Sequence, residues 1–237
     1  MKTKKLLKRN EFYVAVTIFL LSLVIQLRSG QFFTANNFVD LARAMIIPGM
    51  LTMGVMMEII SGGIDVSFPA ISMLSMYATL ELLLKTEYDG PVALAFAVAT
   101  MIGLCLGLIN GALICWLKLP AFIITLGTSS IYLGFMQAVL KSHTSSLLPG
   151  PVSRMVKSFL LTVTNQELGI SSSLPSVFVF LIIIVAFTAF LLKYTMLGRG
   201  IYALGGDPVA AERAGFHVNG IRLFVYGFMG ALAGFVG

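Results

Sequence analysis

Charge is scarce in this sequence. Only 11% of its 237 residues are Asp, Glu, Lys or Arg, while 58% are hydrophobic. A soluble domain carries roughly 45–50% apolar and about 25% charged residues. A chain this poor in charge could not cover a water-exposed surface, so a soluble globule is excluded and an integral membrane protein is predicted.

Residues that hold metals or do covalent chemistry are also scarce. There are two Cys and two His. Cys105 and Cys115 lie in one apolar run, about 15 Å apart along a helix axis, and His143 and His217 each stand alone. The sequence thus indicates no disulfide, no metal, no cofactor and no catalytic constellation, so a membrane-embedded enzyme is disfavoured. Seven Met residues between Met45 and Met76 are interpreted as adaptable packing residues rather than a copper path.

What the sequence does contain is long apolar segments. About 17–25 such residues span a bilayer as a helix, whose backbone polar groups are satisfied internally. The sequence therefore predicts an all-α, polytopic transmembrane bundle with about seven spans, forming one domain over residues 1–237. Six candidates are complete, and a seventh begins at Leu223 and is interrupted at Gly237. The complete ones are Phe12–Leu27, Ala44–Ile60, Val66–Leu84, Val92–Leu117, Leu119–Leu140 and Leu174–Leu192.

Basic residues predict the orientation. Five precede the first span, and such a cluster is typical of a cytoplasmic anchor at anionic lipid rather than of nucleic-acid binding. A cleaved signal peptide is the alternative, but Phe12–Leu27 ends without a small-x-small cleavage site. We therefore expect residues 1–11 inside, the loop Lys141–Ser173 outside and the loop Lys193–Arg222 inside. If Leu119–Leu140 were re-entrant, everything after it would invert. The five basic residues are Lys2, Lys4, Lys5, Lys8 and Arg9.

A glycine stripe runs along the fourth span. Gly103, Gly107 and Gly111 recur every four residues, and Gly230 and Gly234 repeat the pattern near the end of the chain. Glycine lets two helix backbones approach closely in a membrane. The stripe predicts tight helix packing, and lining a translocation path is the alternative.

The turn between the second and third spans reads Ser61-Gly62-Gly63-Ile64-Asp65-Val66-Ser67. Gly62 and Gly63 allow backbone angles closed to other residues. Asp65 or Ser67 is expected to cap the next helix, although an active carboxylate at Asp65 remains an alternative. Glu58 lies one turn earlier, and we expect it at the interface or buried in protein, because a charge in mid-bilayer costs about 2.5–3.5 kcal/mol.

The inner loop contains a short helix signal. Asp207 is predicted as N-cap, Pro208 as the first helical residue and Gly215 as the left-handed stop. Ala210, Ala211 and Ala214 are expected to present small side chains that another protein can approach closely. A helix lying on the membrane surface is the alternative.

Three stretches together resemble the permease subunit of ABC-type sugar importers of the ribose, xylose and galactose group. The resemblance runs from about residue 40 to the end. Phe68-Pro69 departs from the family's usual Val-Gly, and Asp207, Val209 and Arg213 replace a common Asn, Glu and Leu. The stretches are Ser61–Ser67, Leu119–Thr128 (Leu-Pro-Ala-Phe-Ile-Ile-Thr-Leu-Gly-Thr) and Gly198–Gly215, which begins Gly-Arg-Gly-Ile-Tyr-Ala-Leu-Gly-Gly.

The resemblance implies a function in a bacterial cytoplasmic (inner) membrane. The implied partners are an ABC ATPase, an extracytoplasmic sugar-binding protein and a second permease subunit, and the implied substrate is a sugar or related polyol. Members commonly continue through further spans, so we do not expect residue 237 to be a natural end. The resemblance assigns the turn motif to Gly62, Gly63, Asp65 and Ser67, and the ATPase-coupling loop to Gly198, Arg199, Gly205, Gly206, Asp207, Ala210, Ala211, Ala214 and Gly215.

ATP hydrolysis is expected on another polypeptide. The chain has no Gly-x-x-x-x-Gly-Lys-Ser/Thr phosphate loop. The main alternative function is an ion-coupled secondary transporter of a small polar solute. Such carriers usually place ionisable groups at mid-membrane, whereas Glu58 and Glu81 lie towards the ends of their spans.

Overall fold

The computed structural model of the chain describes residues 10–139, 152–153, 155, 158–165 and 169–237. The basic cluster before residue 10 lies outside this part, as does His143, so the predicted cytoplasmic anchor stays a prediction. The chain divides into two compact units, one formed by Met1–Ala44 with Phe159–Ser176 and the other by Met45–Ser158 with Val177–Gly237.

The described chain is mostly helical. In chain order the elements are α1 (Asn10–Ser29), α2 (Ala35–Ala44), α3 (Ile46–Ile60), α4 (Phe68–Lys85), α5 (Val92–Leu117), α6 (Ala121–Val139), β1 (Phe159–Asn165), β2 (Ile170–Pro175), α7 (Phe178–Tyr194), α8 (Met196–Gly206), α9 (Pro208–Arg213) and α10 (Val218–Val236).

Four of the described helices are long and apolar enough to cross a membrane by themselves: α1, α5, α6 and α10. The number rises to six if α2 with α3, and α7 with α8, each count as one broken span. A polytopic helical membrane protein is therefore confirmed, while a count of seven is not. Helix α4 coincides with a predicted span, but its Ser, Thr and Glu residues lower its hydropathy.

Two predicted span boundaries are wrong. The last helix begins at Val218 rather than Leu223, because His217 occupies the N-cap and its Nδ1 accepts a hydrogen bond from the backbone of Gly220 at 3.2 Å. The sixth span begins at Phe178, because Leu174 pairs with Leu161 in a β-hairpin.

That hairpin is the departure from the all-α prediction. Strands β1 and β2 are antiparallel, with Thr162 opposite Ser173 and Thr164 opposite Ser171. Within this unit the Asn36 side chain of α2 donates hydrogen bonds to the Val163 carbonyl at 3.0 Å and the Ile170 carbonyl at 3.3 Å. Helix α2 is thereby tied to both strands.

Helix α10 is the centre of the second unit. It packs against α3, α4, α5 and α8, and Val225, Met229 and Ala233 along it are fully buried. A cluster of apolar side chains holds α8 and α10 against α3 and α7, so the loop segment between α7 and α10 is part of the packed unit. The buried members are Met57, Leu191, Leu192, Ile201, Leu204, Ile221 and Val225.

Candidate functional site

Helices α5 and α10 meet along a seam of bare backbone. A methyl group added at Gly103 would overlap the carbonyl oxygen of Gly230, and one added at Gly107 would overlap that of Tyr226. In return, a methyl group at Gly230 would overlap the Gly103 carbonyl. Both backbones therefore approach as closely as they do only because neither helix carries a side chain there.

The seam opens towards the N-terminal end of α10. At Gly111 an added Cβ would lie 3.2 Å from the Leu223 Cα, a tight contact that a small shift relieves. The glycines of α6 differ, since Gly127 and Gly134 have no atom within 4 Å of an added Cβ. The stripe predicted from the sequence therefore contacts its partner most closely at Gly103 and Gly107.

The α3–α4 turn is compact. Gly62 adopts a φ of +81°, and the backbone amide of Gly63 donates a 2.9 Å hydrogen bond to the carbonyl of Glu58. A side chain on Gly63 would overlap the Tyr226 hydroxyl. The two glycines thus have separate roles, because one supplies a left-handed angle and the other makes room for Tyr226.

Neither Asp65 nor Ser67 caps α4 with its side chain, which corrects the sequence prediction. Ser67 occupies the N-cap position, but its hydroxyl donates to Asp65 Oδ1 at 2.7 Å. The Ser67 backbone amide donates to the same oxygen at 2.5 Å. Asp65 therefore folds back onto the residue before the helix.

A buried chain of hydrogen bonds joins this turn to α5 and α6. The Asn110 amide donates to Ser67 Oγ at 2.7 Å, and the Tyr132 hydroxyl donates to Asn110 Oδ1 at 3.0 Å. The Thr125 hydroxyl accepts from the Val66 amide at 3.2 Å. Ser67, Asn110 and Thr125 are fully buried, so the turn is fixed to two neighbouring helices by satisfied polar groups.

Two carboxyl groups lie at this turn. Glu58 is fully buried on α3, and Asp65 is 4% exposed. Burial raises the pKa of Asp65, while hydrogen bonds from Ser67 and the neighbouring Asn110 amide oppose that rise. The Asp65 backbone amide faces the Glu58 carboxyl group without reaching standard hydrogen-bond geometry.

Helices α8 and α9 follow a sharp bend. The α7–α8 pair is bent by 75°, and the Thr195 hydroxyl accepts from the Gly198 amide at 3.0 Å as the N-cap of α8. Gly198 is buried, and it must be glycine because a side chain there would overlap the carbonyl oxygens of Leu191 and Leu192. Arg199 is exposed. The bend therefore positions the segment that begins at Gly198.

The predicted ends of the short helix α9 are confirmed. Asp207 Oδ1 accepts from the amides of Val209 at 2.8 Å and Ala210 at 3.3 Å. Gly215 adopts a φ of +89°, and its amide donates to the Glu212 carbonyl at 2.9 Å. The stop is a Schellman motif, since the next amide bonds back to Ala211 at 3.1 Å.

The three alanines of α9 do not share one face. Ala210 and Ala214 are exposed, but Ala211 is only 3% exposed and packs within its own chain. The expectation that Ala211 presents itself to another protein is therefore wrong. Adjacent residues of a helix point about 100° apart, so Ala211 faces the protein while its neighbour Ala210 does not, and Ala214 follows as the C-cap.

Helix α8 comes closest to the α3–α4 turn at Gly205. A side chain on Gly205 would overlap the carbonyl oxygen of Ile60, and the Cα of Gly205 lies 3.5 Å from where a Cβ on Gly62 would be. Gly206, the next residue, has no atom within 4 Å of an added Cβ. Only the first glycine of the pair is thus needed for the contact.

The three stretches singled out in the sequence converge on one cleft. It has a volume of about 810 Å³. The turn contributes Ser61, Gly62 and Gly63, and the α5–α6 connection contributes Leu119, Pro120 and Ala121. The segment around α9 contributes Pro208, Val209, Glu212 and Gly215 to the lining of the cleft. Lys118, His217 and Arg222 add polar groups.

Comparison with known proteins identifies the family. A model of the family described as branched-chain amino acid transport system / permease component matches residues 37–237. The chain belongs to this permease family.

Curated relatives of the permease are import-system subunits. The autoinducer 2 import system permease protein LsrC of Shigella flexneri is 37% identical over 79% of this chain and 52% of its own length. The D-allose transport system permease protein AlsC of Escherichia coli is 30% identical over 93% and 65%, respectively. The ribose import permease protein RbsC of Haemophilus influenzae is 28% identical over 93% and 66%.

The permease spans about half to two thirds of the length of these relatives. No solved structure matches it. The cleft and the polar network described above therefore rest on this chain's own geometry.

Sequence reasoning missed two parts of the permease's site. Tyr132 and Thr125 complete the polar network from α6, and Tyr226 lines the cleft and faces Gly63. Polar residues at regular spacing in α6 were a usable signal for the first two. No pattern in the sequence identified Tyr226.

Proposed function

We propose that the chain is the membrane-spanning subunit of an ATP-driven importer that carries a sugar or related polyol across the bacterial cytoplasmic membrane. The observation that carries this proposal is the cleft shared by the three permease-like stretches. The names of the relatives, which concern ribose, allose and autoinducer 2 import, support a carbohydrate-like substrate. ATP hydrolysis takes place on a separate ATPase chain, since this one has no phosphate loop.

In this proposal α9 is the element that the ATPase contacts. A six-residue helix is not stable in water by itself, and here it is held at both ends by Asp207 and Gly215. Its exposed small residues, Ala210 and Ala214, leave room for another protein to approach closely. A second permease subunit and an extracytoplasmic sugar-binding protein complete the proposed transporter.

A route for the coupling follows from the contacts. Movement of α9 displaces α8, whose Gly205 touches the Ile60 carbonyl of the turn. The turn is bonded through Ser67 and Asn110 to α5 and through Thr125 to α6. A displacement at the cleft therefore reaches helices that cross the membrane.

Substitutions at one exposed alanine test the docking role. Ala210→Arg puts a long charged side chain where the proposed contact needs a small one, so uptake and co-purification of the ATPase should both be lost while the protein stays in the membrane. Ala210→Ser at the same position keeps the side chain small and should retain both. Arg and Ser variants that behave alike would remove α9 as the docking element.

Cysteine labelling tests the proposed orientation. With Cys105 and Cys115 replaced, a single Cys at the exposed Thr162 of β1 should react with an impermeant reagent added outside intact cells. A Cys at the exposed Glu212 should react only after the membrane is opened. The opposite pattern would place the N-terminus and the α8–α9 segment outside.

An ion-coupled secondary transporter is the second candidate. The observation in its favour is Glu58, which is fully buried on a membrane helix. Membrane vesicles distinguish the two functions. Uptake that requires internal ATP and survives collapse of the ion gradients supports the importer, whereas uptake driven by a gradient alone supports the carrier.

A further inference from the structure

The α3–α4 turn encloses two carboxyl groups that lack a full set of partners. Glu58 is 0% exposed and Asp65 is 4% exposed. Within the described residues, both carboxyl oxygens of Glu58 and Oδ2 of Asp65 accept no hydrogen bond. Buried polar atoms are normally satisfied and an unpaired buried charge is costly, so this pair of carboxyl groups needs a positive charge or a proton.

No basic side chain of the described chain supplies a positive charge to these two carboxyl groups. The described chain contains an ion pair between Lys85 and Glu81, but it lies near the C-terminal end of α4, away from the turn. The Asp65 carboxyl group lies near that of Glu58. Tyr226 of α10 lies near both carboxyl groups, and Arg222 of α10 and Cys115 of α5 lie near Tyr226. Lys193 on α7 and Arg199 on α8 are exposed.

The two carboxyl groups have unequal surroundings. Asp65 Oδ1 accepts from the Ser67 amide at 2.5 Å and from the Ser67 hydroxyl at 2.7 Å. Hydrogen bonds donated to a carboxylate favour its charged form. Glu58 has no comparable donor, so it is the group that must be neutral for the pair to stay buried.

We propose that Glu58 and Asp65 form a buried proton-binding site that holds one proton, carried by Glu58, directly beneath the contact between α8 and the α3–α4 turn. A proton fits this turn because it requires no further oxygen ligands and no cavity. Loss of the proton would leave two charged carboxylates buried in one turn, and the turn would have to open and admit water.

The site lies next to the element that contacts α8. The backbone carbonyl of Glu58 accepts from the Gly63 amide at 2.9 Å and from the Ser61 hydroxyl at 2.8 Å. The Ile60 carbonyl, two residues on, is the atom that Gly205 touches. Occupancy of the site by a proton thereby stabilises the closed turn on which α8 rests.

Infrared spectroscopy of the purified protein in a detergent without carbonyl groups tests the proposal without using uptake, so its failure is distinct from failure of the proposed function. At neutral pH the wild-type protein should show the C=O stretch of a protonated carboxyl group, shifted in D₂O. Glu58→Gln should abolish this band. Glu81→Gln, at a carboxylate already paired with Lys85, should leave it unchanged.

Three results would overturn the proposal. The band could be absent from the wild-type protein at neutral pH, which would mean that both groups are ionised. It could survive Glu58→Gln and vanish in Asp65→Asn, which would put the proton on Asp65. It could appear only when Na⁺ is removed, which would make the site one for a metal cation. Since the wild-type spectrum is itself decisive, a Glu58→Gln variant that fails to fold does not prevent the test.

Discussion

The seam between α5 and α10 and the contact between α8 and the α3–α4 turn use glycine in different ways. In the seam, the backbone of α5 lies close to that of α10 from Ala99 to Gly111, about three helical turns. At the turn, Gly205 touches the Ile60 carbonyl, while an added Cβ on its neighbour Gly206 would have no atom within 4 Å. The seam is a line of contact and the turn is a point.

The difference indicates which part can move. Separating α5 from α10 would break every close contact of the seam together, because these contacts follow one another along the same two helices. Separating α8 from the turn breaks the Gly205 contact and the packing of Ile201 and Leu204 on Met57. The polar network of Ser67, Asn110 and Tyr132 takes no part in that contact. We expect the seam to be the fixed frame and the turn contact to be the one that changes.

Breaking the seam should have the largest effect. Gly107→Leu places a side chain against the Tyr226 carbonyl, so the two helices cannot pack and folded protein should be lost. Gly134→Leu is the matched control on α6, where the added chain meets open space. The yield of monodisperse protein in detergent measures both. Equal yields would show that the α5–α10 contact is dispensable.

Breaking the polar network should cost less. Asn110→Ala removes one partner each from Ser67 and Tyr132, which predicts a loss of roughly 1–3 kcal/mol in stability. Thermal unfolding in detergent would measure it. A double-mutant cycle with Tyr132→Phe should be non-additive, since the two residues share a hydrogen bond. Additive losses would argue against a connected network.

Crowding the Gly205 contact should cost a comparable amount. Gly205→Ala would place a methyl group into the backbone carbonyl of Ile60, so the backbone of α8 or of the turn must shift, and we expect a loss of about 1–3 kcal/mol, the usual range for overpacking. Gly206→Ala is the matched control. Limited proteolysis between α8 and α10 should accelerate for the first variant and not for the second. Identical cleavage rates would mean that Gly205 does not hold α8 in place.

The smallest effect should come from a glycine that touches neither region. Gly134→Ala in α6 removes backbone freedom without a clash, so the helix should gain about 0.5–1 kcal/mol. A slightly raised midpoint of thermal unfolding is the expected result. A lowered midpoint would show that this face of α6 is covered by something that a methyl group disturbs.

Hydropathy and spacing were sufficient to predict a polytopic helical membrane protein and the glycine stripe, but not the number of spans or every helix boundary. The ends of α9 followed from Asp207, Pro208 and Gly215, because capping depends on residues close in sequence. The hairpin was missed, although the β-branched run Thr162-Val163-Thr164 was a signal for it. The inward face of Ala211 and the position of Tyr226 depend on contacts between distant segments, which one sequence does not reveal.

A rotation of α8 about Thr195 would produce a large displacement at Gly205, near the other end of the helix. The Thr195 hydroxyl donates to the Leu191 carbonyl at 2.6 Å and accepts from the Gly198 amide at 3.0 Å, so it joins the end of α7 to the start of α8. Helix α8 has 11 residues, about 16 Å at 1.5 Å each. A rotation of about 10° about Thr195 would move the Gly205 end of α8 by nearly 3 Å, which is about half the pitch of an α-helix. The same rotation would have to slide Ile201 and Leu204 of α8 over Met57, so the apolar cluster sets the resistance to this movement.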